Sequence, residues 1–418
     1  MSRVIVSEVP EVAEPGAGSV VAPDATRGPD QGTAWTPRWI ALGLLPLVLL
    51  GAVLALIIAT NAGLGDRTAP PIEKLNIQRV TLPGPGRIVL SVINDGPDEI
   101  TIAQVLVDAA FYNHEIVPGR TLGRLQSATI TIPYPWVEGE AHKIALLSRT
   151  GVLFEAEVPV ALEAPATDAS AFARFALVGF YVGIVPVGLG LLWYPFMRRL
   201  GRRGLNFVLA LTVGLLLFLV VDMFGEAGET ALAAPGSYSG PLLVPLVALL
   251  TFLLLMTIAR RKEDAPRSGL PVAYRIALGI GLHNLGEGLA IGAAFALGKA
   301  ALGVFLIVGF TLHNVTEGVG IAAPIVRERP ALVHFLGLAA LAGLPAILGT
   351  WIGGFIYSPF WATIFLAVGI GAIAQVIVEV TRLITRGEEG RGPALNWTTF
   401  GGVTAGIAIM YATALLVA

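Results

Sequence analysis

Residues 276–325 read IALGIGLHNLGEGLAIGAAFALGKAALGVFLIVGFTLHNVTEGVGIAAPI. Two apolar runs, 276–296 and 301–325, are each long enough to cross about 30 Å of hydrocarbon as a helix. The connection between them is so short that the two helices must be antiparallel neighbours. Each run carries one polar island: His283-Asn284-Leu285-Gly286-Glu287-Gly288 in the first and, thirty residues on, His313-Asn314-Val315-Thr316-Glu317-Gly318 in the second. In each island His and Glu are four positions apart, which puts them on one helix face a turn apart with the Asn at its flank. Two imidazoles and two carboxylates thus converge near the middle of the pair.

The rest of the chain fits that reading. Of 418 residues, 55% are hydrophobic and 13% charged, and the mean hydropathy of +0.76 is that of a membrane protein. A net charge of −2 with few basic clusters excludes nucleic acid as a partner. The absence of cysteine removes disulfides, thiolate metal sites and Cys nucleophiles. From residue 170 to 418 eight apolar segments follow one another, roughly 172–196, 205–223, 241–258, 276–296, 301–325, 332–355, 361–381 and 398–417. The odd-numbered loops between them carry Arg198, Arg199, Arg202 and Arg203, then Arg260, Arg261, Lys262, Arg267 and Arg275, then Arg327 and Arg329, then Arg382, Arg386 and Arg391; the even-numbered loops carry only Lys299. By the positive-inside rule the odd loops are cytoplasmic and the eight-helix set begins and ends outside.

Upstream, residues 1–38 are rich in Pro, Gly and Ala without apolar periodicity and read as a disordered cytoplasmic tail. Residues 39–60 form a 22-residue uncharged anchor helix running outward. Residues 66–165 change to short alternating runs, at 76–82, 87–94, 100–107, 128–134, 143–147 and 152–160, separated by turn signals such as Asn94-Asp95-Gly96-Pro97. They predict an extracytoplasmic antiparallel β-sandwich, Ig-like or cupredoxin-like, with an unknown ligand. His114 and His142 lie there without the Cys or Met of a blue-copper site and read as ordinary surface or strand residues. The fold class is therefore mainly α: a polytopic bundle of eight helices preceded by one transmembrane helix and a β-sandwich, in the plasma membrane.

A His–Glu pair at this spacing can be a structural hydrogen-bonded link between helices. Ionisable groups at bilayer depth more often mark an ion or proton pathway, and two matching copies that use two of the five histidines favour the pathway. Two N and two O donors suit Zn²⁺, and also Fe²⁺, Mn²⁺ or Co²⁺; they suit Cu⁺, Ca²⁺ and Mg²⁺ poorly.

On these residues the chain resembles the ZIP (ZRT/IRT-like) divalent-metal transporters. The twin His-Asn-x-x-Glu-Gly motifs fall on the fourth and fifth helices of the set, as in that family, and the eight spans with outward termini also match. The resemblance covers residues 170–418 only. It implies a homodimeric permease carrying zinc, with Fe²⁺, Mn²⁺ or Cd²⁺ as related cargo, toward the cytoplasm through His283, Glu287, His313 and Glu317. It implies no resident cofactor and no enzymatic activity. In binuclear members a second site uses the positions of Asn284 and Asn314 with the two Glu as bridges. The carboxylate that such members place before a proline of the sixth helix is Leu344 here, ahead of Pro345, so a mononuclear site is expected. The Pro common before the motif Glu is replaced by Gly286 and Thr316, and the His-rich loop after the third helix is absent.

Further acidic and polar positions extend the path. Asp222, Glu226 and Glu229, at i, i+4 and i+7, are expected near the outer end of the second helix as a candidate entrance or as a solvated acidic helix end. Gln375 and Glu379 near the inner end of the seventh helix are a candidate exit, with an ordinary Glu379–Arg382 ion pair as the alternative. His334 opens the sixth helix and is expected to reach for the interface. Two other functions use the same ligands: an intramembrane metalloenzyme, whose His-Glu-x-x-His signature is missing, and a metal-sensing membrane receptor with the β-module as its partner-binding domain.

Overall fold

The computed structural model describes residues 37–60, 71–238, 240–260, 269–386 and 396–417. Residues 1–36 of the expected tail, residues 66–70 of the β-module, and Arg261, Lys262, Arg267 and Arg391 lie outside the described residues, and the last two tail positions, Pro37 and Arg38, belong to the first helix. The chain is 66% helical, with a smaller β region and nine helices, among the described residues, that are long and apolar enough to cross a membrane. It is a multi-pass membrane protein. One unit contains α1 (Pro37–Ala59), an apolar helix with Pro46 inside it. The other runs from Pro71 onward and holds both the strands and the remaining helices.

The β region is a two-sheet sandwich with every pairing antiparallel. One sheet has the order β1 (Leu75–Thr81), β2 (Ile88–Asn94), β7 (Ser127–Ile132), β5 (Glu115–Val117). The other has β4 (Ala110–Phe111), β3 (Ile100–Val107), β8 (His142–Ser148), β9 (Leu153–Val158), with β6 (Thr121–Leu122) against β3. Alternation builds the core: Ile88, Leu90 and Val92 on β2 oppose Ile132, Ile130 and Ala128 on β7, all buried. On β3 the buried set shifts from Ile100 and Ile102 to Val105 and Val107, and a β-bulge between Ile102 and Gln104 makes that change of parity. His142 is a strand residue, as expected, at the start of β8, and it is not on the surface. It is 4% exposed, and its Nδ1 lies 2.8 Å from Asp108 Oδ2, which also accepts a 2.8 Å hydrogen bond from the Tyr134 hydroxyl. Asp108 sits in the tight β3–β4 turn with a φ of 50°, and that turn swings its carboxylate back over the start of β8.

The first helical span is broken rather than continuous: α2 (Ala169–Gly179), a π turn (Phe180–Ile184), α3 (Val185–Leu191) and α4 (Tyr194–Met197). Pro186 and Pro195, which cannot donate a backbone hydrogen bond, open the later pieces. α5 (Arg202–Ala233) extends well past the expected end at 223: Met223–Ala233 has no proline to stop the helix, and its Ala, Glu, Met and Leu carry it past Gly225 and Gly228. α6 (Gly240–Arg260), α7 (Gly269–Ala296), α8 (Ala300–Ala322), α9 (Leu332–Ile356), α10 (Pro359–Arg386) and α11 (Trp397–Val417) complete the bundle.

Small residues set the packing around α7. A Cβ at Gly281, Gly288 or Gly292 would meet the carbonyls of Leu341, Ala346 and Thr350 on α9, so the two backbones lie in direct contact. Gly190 of α3 and Gly318 of α8 face each other in the same way. α7 is the least hydropathic of the nine spans, at 1.2, and the most buried, at 78%. Its neighbours thus shield its polar groups from lipid.

The sandwich docks on one end of the bundle at three places. Asp95 accepts hydrogen bonds from the backbone N–H groups of Gly236 and Ser237 in the α5–α6 connection, each 2.8 Å, and Asn76 Nδ2 donates to Ala233 O. Arg79 Nη1 donates to Phe355 O in the last turn of α9 at 3.2 Å. Leu162 packs against the α7–α8 turn at Gly298, whose φ is +73°. These are the second, sixth and fourth connections of the eight-span set.

Candidate metal centre

The two polar islands meet. On α7, His283 Nε2 lies 3.0 Å from Glu287 Oε1, one turn on in the same helix. From α8, His313 Nε2 reaches the same oxygen at 2.5 Å. Glu287 Oε2 accepts from Asn314 Nδ2 at 3.0 Å. Glu287 is therefore the hub, and its carboxylate is shared between two imidazoles. The rings of His283 and His313 are 6.2 Å apart and inclined by 30°, and Phe310 stands edge-on to His313 at 5.5 Å. All six motif residues, His283, Asn284, Glu287, His313, Asn314 and Glu317, are buried, the most accessible being His313 at 7%.

His283, Glu287 and His313 place ligand atoms within 4.8 Å of one another, and they form the one such three-residue group of His, Asp or Glu among the described residues. Glu317 stands slightly outside this group, its Oε1 3.9 Å from His283 Nε2. Neither Glu317 oxygen is held by a hydrogen bond of ordinary geometry, although the Asn284 amide lies close enough to interact with it. Both ring nitrogens of His283 and the side-chain oxygens of Asn284 and Asn314 are also buried without an aligned partner. Buried polar atoms without partners are costly and uncommon. His283, Glu287 and His313 bring lone-pair donors within 4.8 Å of one another, and with the unsatisfied Glu317 carboxylate beside them the cluster suits a divalent cation.

The surrounding backbone orients the ligands. Asn314 Nδ2 also donates to Val182 O inside the π turn, at 3.0 Å, and Asn284 Nδ2 donates to Ala342 O on α9, at 3.0 Å. A π turn beside a functional cluster is a recurrent device, since it displaces local carbonyls from their usual helical register. Pro345 on α9 likewise removes the helical donor of the Leu341 carbonyl next to this contact. Thr316 Oγ1 bonds back to His313 O at 2.5 Å. Leu344 is 49% exposed, and α9 offers no acidic side chain anywhere along its length.

The outlying candidates fall in separate places. Because α5 runs on to Ala233, Asp222 lies about three turns and Glu226 about two turns inside the helix, and Glu229 lies about one turn from its end, as expected. Asp222 and Glu229 are exposed and Glu226 is half-buried, with both motif histidines within electrostatic range of Asp222 and Glu287 within range of Glu226. Gln375 and Glu379 are buried, and Gln375 Nε2 donates to Glu379 Oε1 at 3.3 Å. The nearer cation to Glu379 is Arg275 of α7, at 3.4 Å; Arg382 stands at 4.0 Å. The local i, i+3 spacing pointed to Arg382, whereas Arg275 reaches Glu379 across a helix pair 104 residues apart in sequence. His334 hydrogen-bonds the Tyr274 hydroxyl at 3.2 Å rather than extending freely to the interface. Sequence reasoning missed Arg275, Phe310 and the carbonyls of Val182 and Ala342. Only Arg275 carried a signal: it is a cation at the start of an apolar span.

No family model and no curated protein matches the chain. Among solved structures it aligns with the archaellum periplasmic stator protein FlaG from Sulfolobus acidocaldarius, at 13% identity over 21% of this chain and 99% of that one, with a TM-score of 0.19.

Proposed function

We propose that this protein is a ZIP-like transporter that moves a divalent metal cation, Zn²⁺ first among the choices, toward the cytoplasm. One observation carries the reading: His283, Glu287 and His313 converge from two adjacent antiparallel helices inside the bundle, with Glu317 beside them and its carboxylate unsatisfied. The cation would bind His283, Glu287 and His313, with Glu317 closing the set. The asparagines, held by Val182 O and Ala342 O, orient the carboxylates in a single mononuclear site. Asp222, Glu226 and Glu229 draw cations toward the site from one side, and Gln375 and Glu379 line the other. Rocking of one helix group against the other then exposes the site alternately.

The positive-inside rule supports a cytoplasmic N-terminal tail and an outer β-domain in the plasma membrane. The β-domain's contacts with the second, fourth and sixth connections support the same orientation, since these are the loops poor in basic residues. The resemblance supports a homodimer. The test is uptake of ⁶⁵Zn²⁺ into sealed proteoliposomes. The wild type accumulates the ion down its gradient without any reaction product or partner protein, and the double variant His283→Ala, His313→Ala does not. Unchanged uptake by the double variant would overturn the site. Metal binding with no flux would favour an enzyme or a sensing receptor.

A further inference from the structure

A cavity of about 230 Å³ opens between the β-domain and the α7–α8 turn, lined by β1 from Ile77 to Leu82, by Ala156–Val160 and Leu162, and by Ala296, Leu297 and Lys299. It is separate from the His/Glu cluster. Two cations line it, Arg79 and Lys299, against one carboxylate, Glu157. Among the described residues neither cation forms an ion pair, and Glu157 pairs with neither.

Arg79 is the more telling. Its one hydrogen bond is Nη1 to Phe355 O, which uses a single donor of the five in the guanidinium fork, and its Nε is buried with no partner. Burial without a counter-charge holds its pKa below the usual guanidinium value. A half-buried guanidinium normally pairs with an anion. Lys299 stands at the start of α8, whose first turn has no side-chain cap, so the positive end of that helix adds to the same field.

The location narrows the anion. Ala296 and Ala300 end two membrane spans, so the cavity mouth lies at headgroup depth. Val80, Leu82, Val158, Leu162 and Leu297 supply an apolar wall beside the cations. The volume exceeds that of several waters at about 30 Å³ each, enough for a phosphoryl group with part of an attached glycerol.

We infer that this cleft binds a phosphoryl oxyanion, with the free edge of the Arg79 guanidinium and the Lys299 ammonium as its ligands. The occupant is the headgroup of an anionic phospholipid or free phosphate. Because Arg79 also holds the end of α9, which lies against the backbone of α7, occupancy would brace the helix pair that carries His283 and Glu287.

The experiment measures thermal unfolding of the full chain in detergent at constant ionic strength. One arm titrates inorganic phosphate against chloride; the other titrates phosphatidylglycerol against phosphatidylcholine in mixed micelles. The variants are Lys299→Gln, Arg79→Gln and, as a control cation, Lys143→Gln, whose lysine pairs with Glu155 on the β-domain surface. The wild type is expected to melt higher with the anion. Lys299→Gln should weaken the apparent affinity about tenfold, Arg79→Gln should abolish the response, and Lys143→Gln should leave it intact. A response to phosphatidylglycerol alone assigns a lipid headgroup, and a response to phosphate assigns the free anion. The inference is overturned if neither arm stabilises the wild type, if Lys299→Gln responds as the wild type does, or if Lys143→Gln loses the response equally. Should Arg79→Gln fail to fold for want of its bond to Phe355, Lys299→Gln decides alone, because that exposed side chain makes no ion pair.

Discussion

Asp95→Ala should release the β-domain from the α5–α6 connection. Asp95 makes that contact almost alone: its side chain is 1% exposed, it accepts from the Gly236 and Ser237 N–H groups at 2.8 Å each, and its Oδ2 lies 2.9 Å from Lys74 Nζ. Each hydrogen bond to a charged acceptor is worth about 1.5 kcal/mol, and truncation strands both donors. The Lys74 ammonium is 60% exposed, so that ion pair adds less than about 1 kcal/mol. The sum, about 3 kcal/mol, corresponds to roughly a hundredfold in the local opening equilibrium. Hydrogen exchange by mass spectrometry in nanodiscs reads this at Gly236–Tyr238, where the variant should lose about two decades of protection at pH 7 while the bundle interior keeps its own. Burial alone would raise the Asp95 pKa, but the Lys74 ion pair and the bonds from Ser237 and Gly236 outweigh it and hold the carboxyl below its usual range. A depressed carboxyl stabilises fully above the unfolded pKa of about 4 and loses that contribution as pH falls through the lower folded value. Wild-type protection at Gly236–Tyr238 should therefore be flat from pH 8 to 5. A loss of less than about threefold in Asp95→Ala would refute the reasoning, because the two donors would then have found other partners at no cost.

Three other consequences are as direct. Gly288→Val drives a side chain into the Ala346 carbonyl and Thr350 backbone of α9, and should lower stability by about 3 kcal/mol, seen as a reduced melting temperature in detergent; an unchanged melt would mean the α7–α9 contact is looser than described. Arg275→Met and Glu379→Gln should each destabilise the chain, yet their double variant should cost about 1–2 kcal/mol less than the sum, a coupling that Arg382→Met lacks with Glu379→Gln. In the β-domain, burial first, and then the hydrogen bond to Asp108 and its charge, push Tyr134 up to about 12. A raised phenol stabilises fully below its unfolded pKa of about 10 and loses that contribution as pH rises through about 12, so its 295 nm phenolate signal should appear only there and vanish in Tyr134→Phe.

The parts of the fold and site that were legible came from local pattern. The twin motifs stood out because histidine is rare in this chain and polar groups are costly in apolar spans, and the structure brings His283, Glu287 and His313 together. Strands such as β2 and β7 were legible through alternation. β4, β5 and β6, at two or three residues each, are too short to show a period. The π turn at Phe180–Ile184 has no local signature, since it depends on packing against α8 and α9, and the length of α5 past residue 223 is obscured by its acids and by Gly225 and Gly228, which interrupt the apolar pattern. Long-range partners are invisible to spacing: Arg275 was counted only as a loop charge, and Asp108 gave no hint that it would bury His142.

The central claim is that one cation sits between His283, Glu287 and His313, with Glu317 closing the set. Zinc K-edge X-ray absorption on the purified protein with one equivalent of Zn²⁺ tests it most directly. The account predicts a first shell of N and O at about 2.0–2.1 Å with outer-shell scattering from two imidazoles, falling to one imidazole in His313→Ala. An all-oxygen shell, or a spectrum unchanged by His313→Ala, would contradict it.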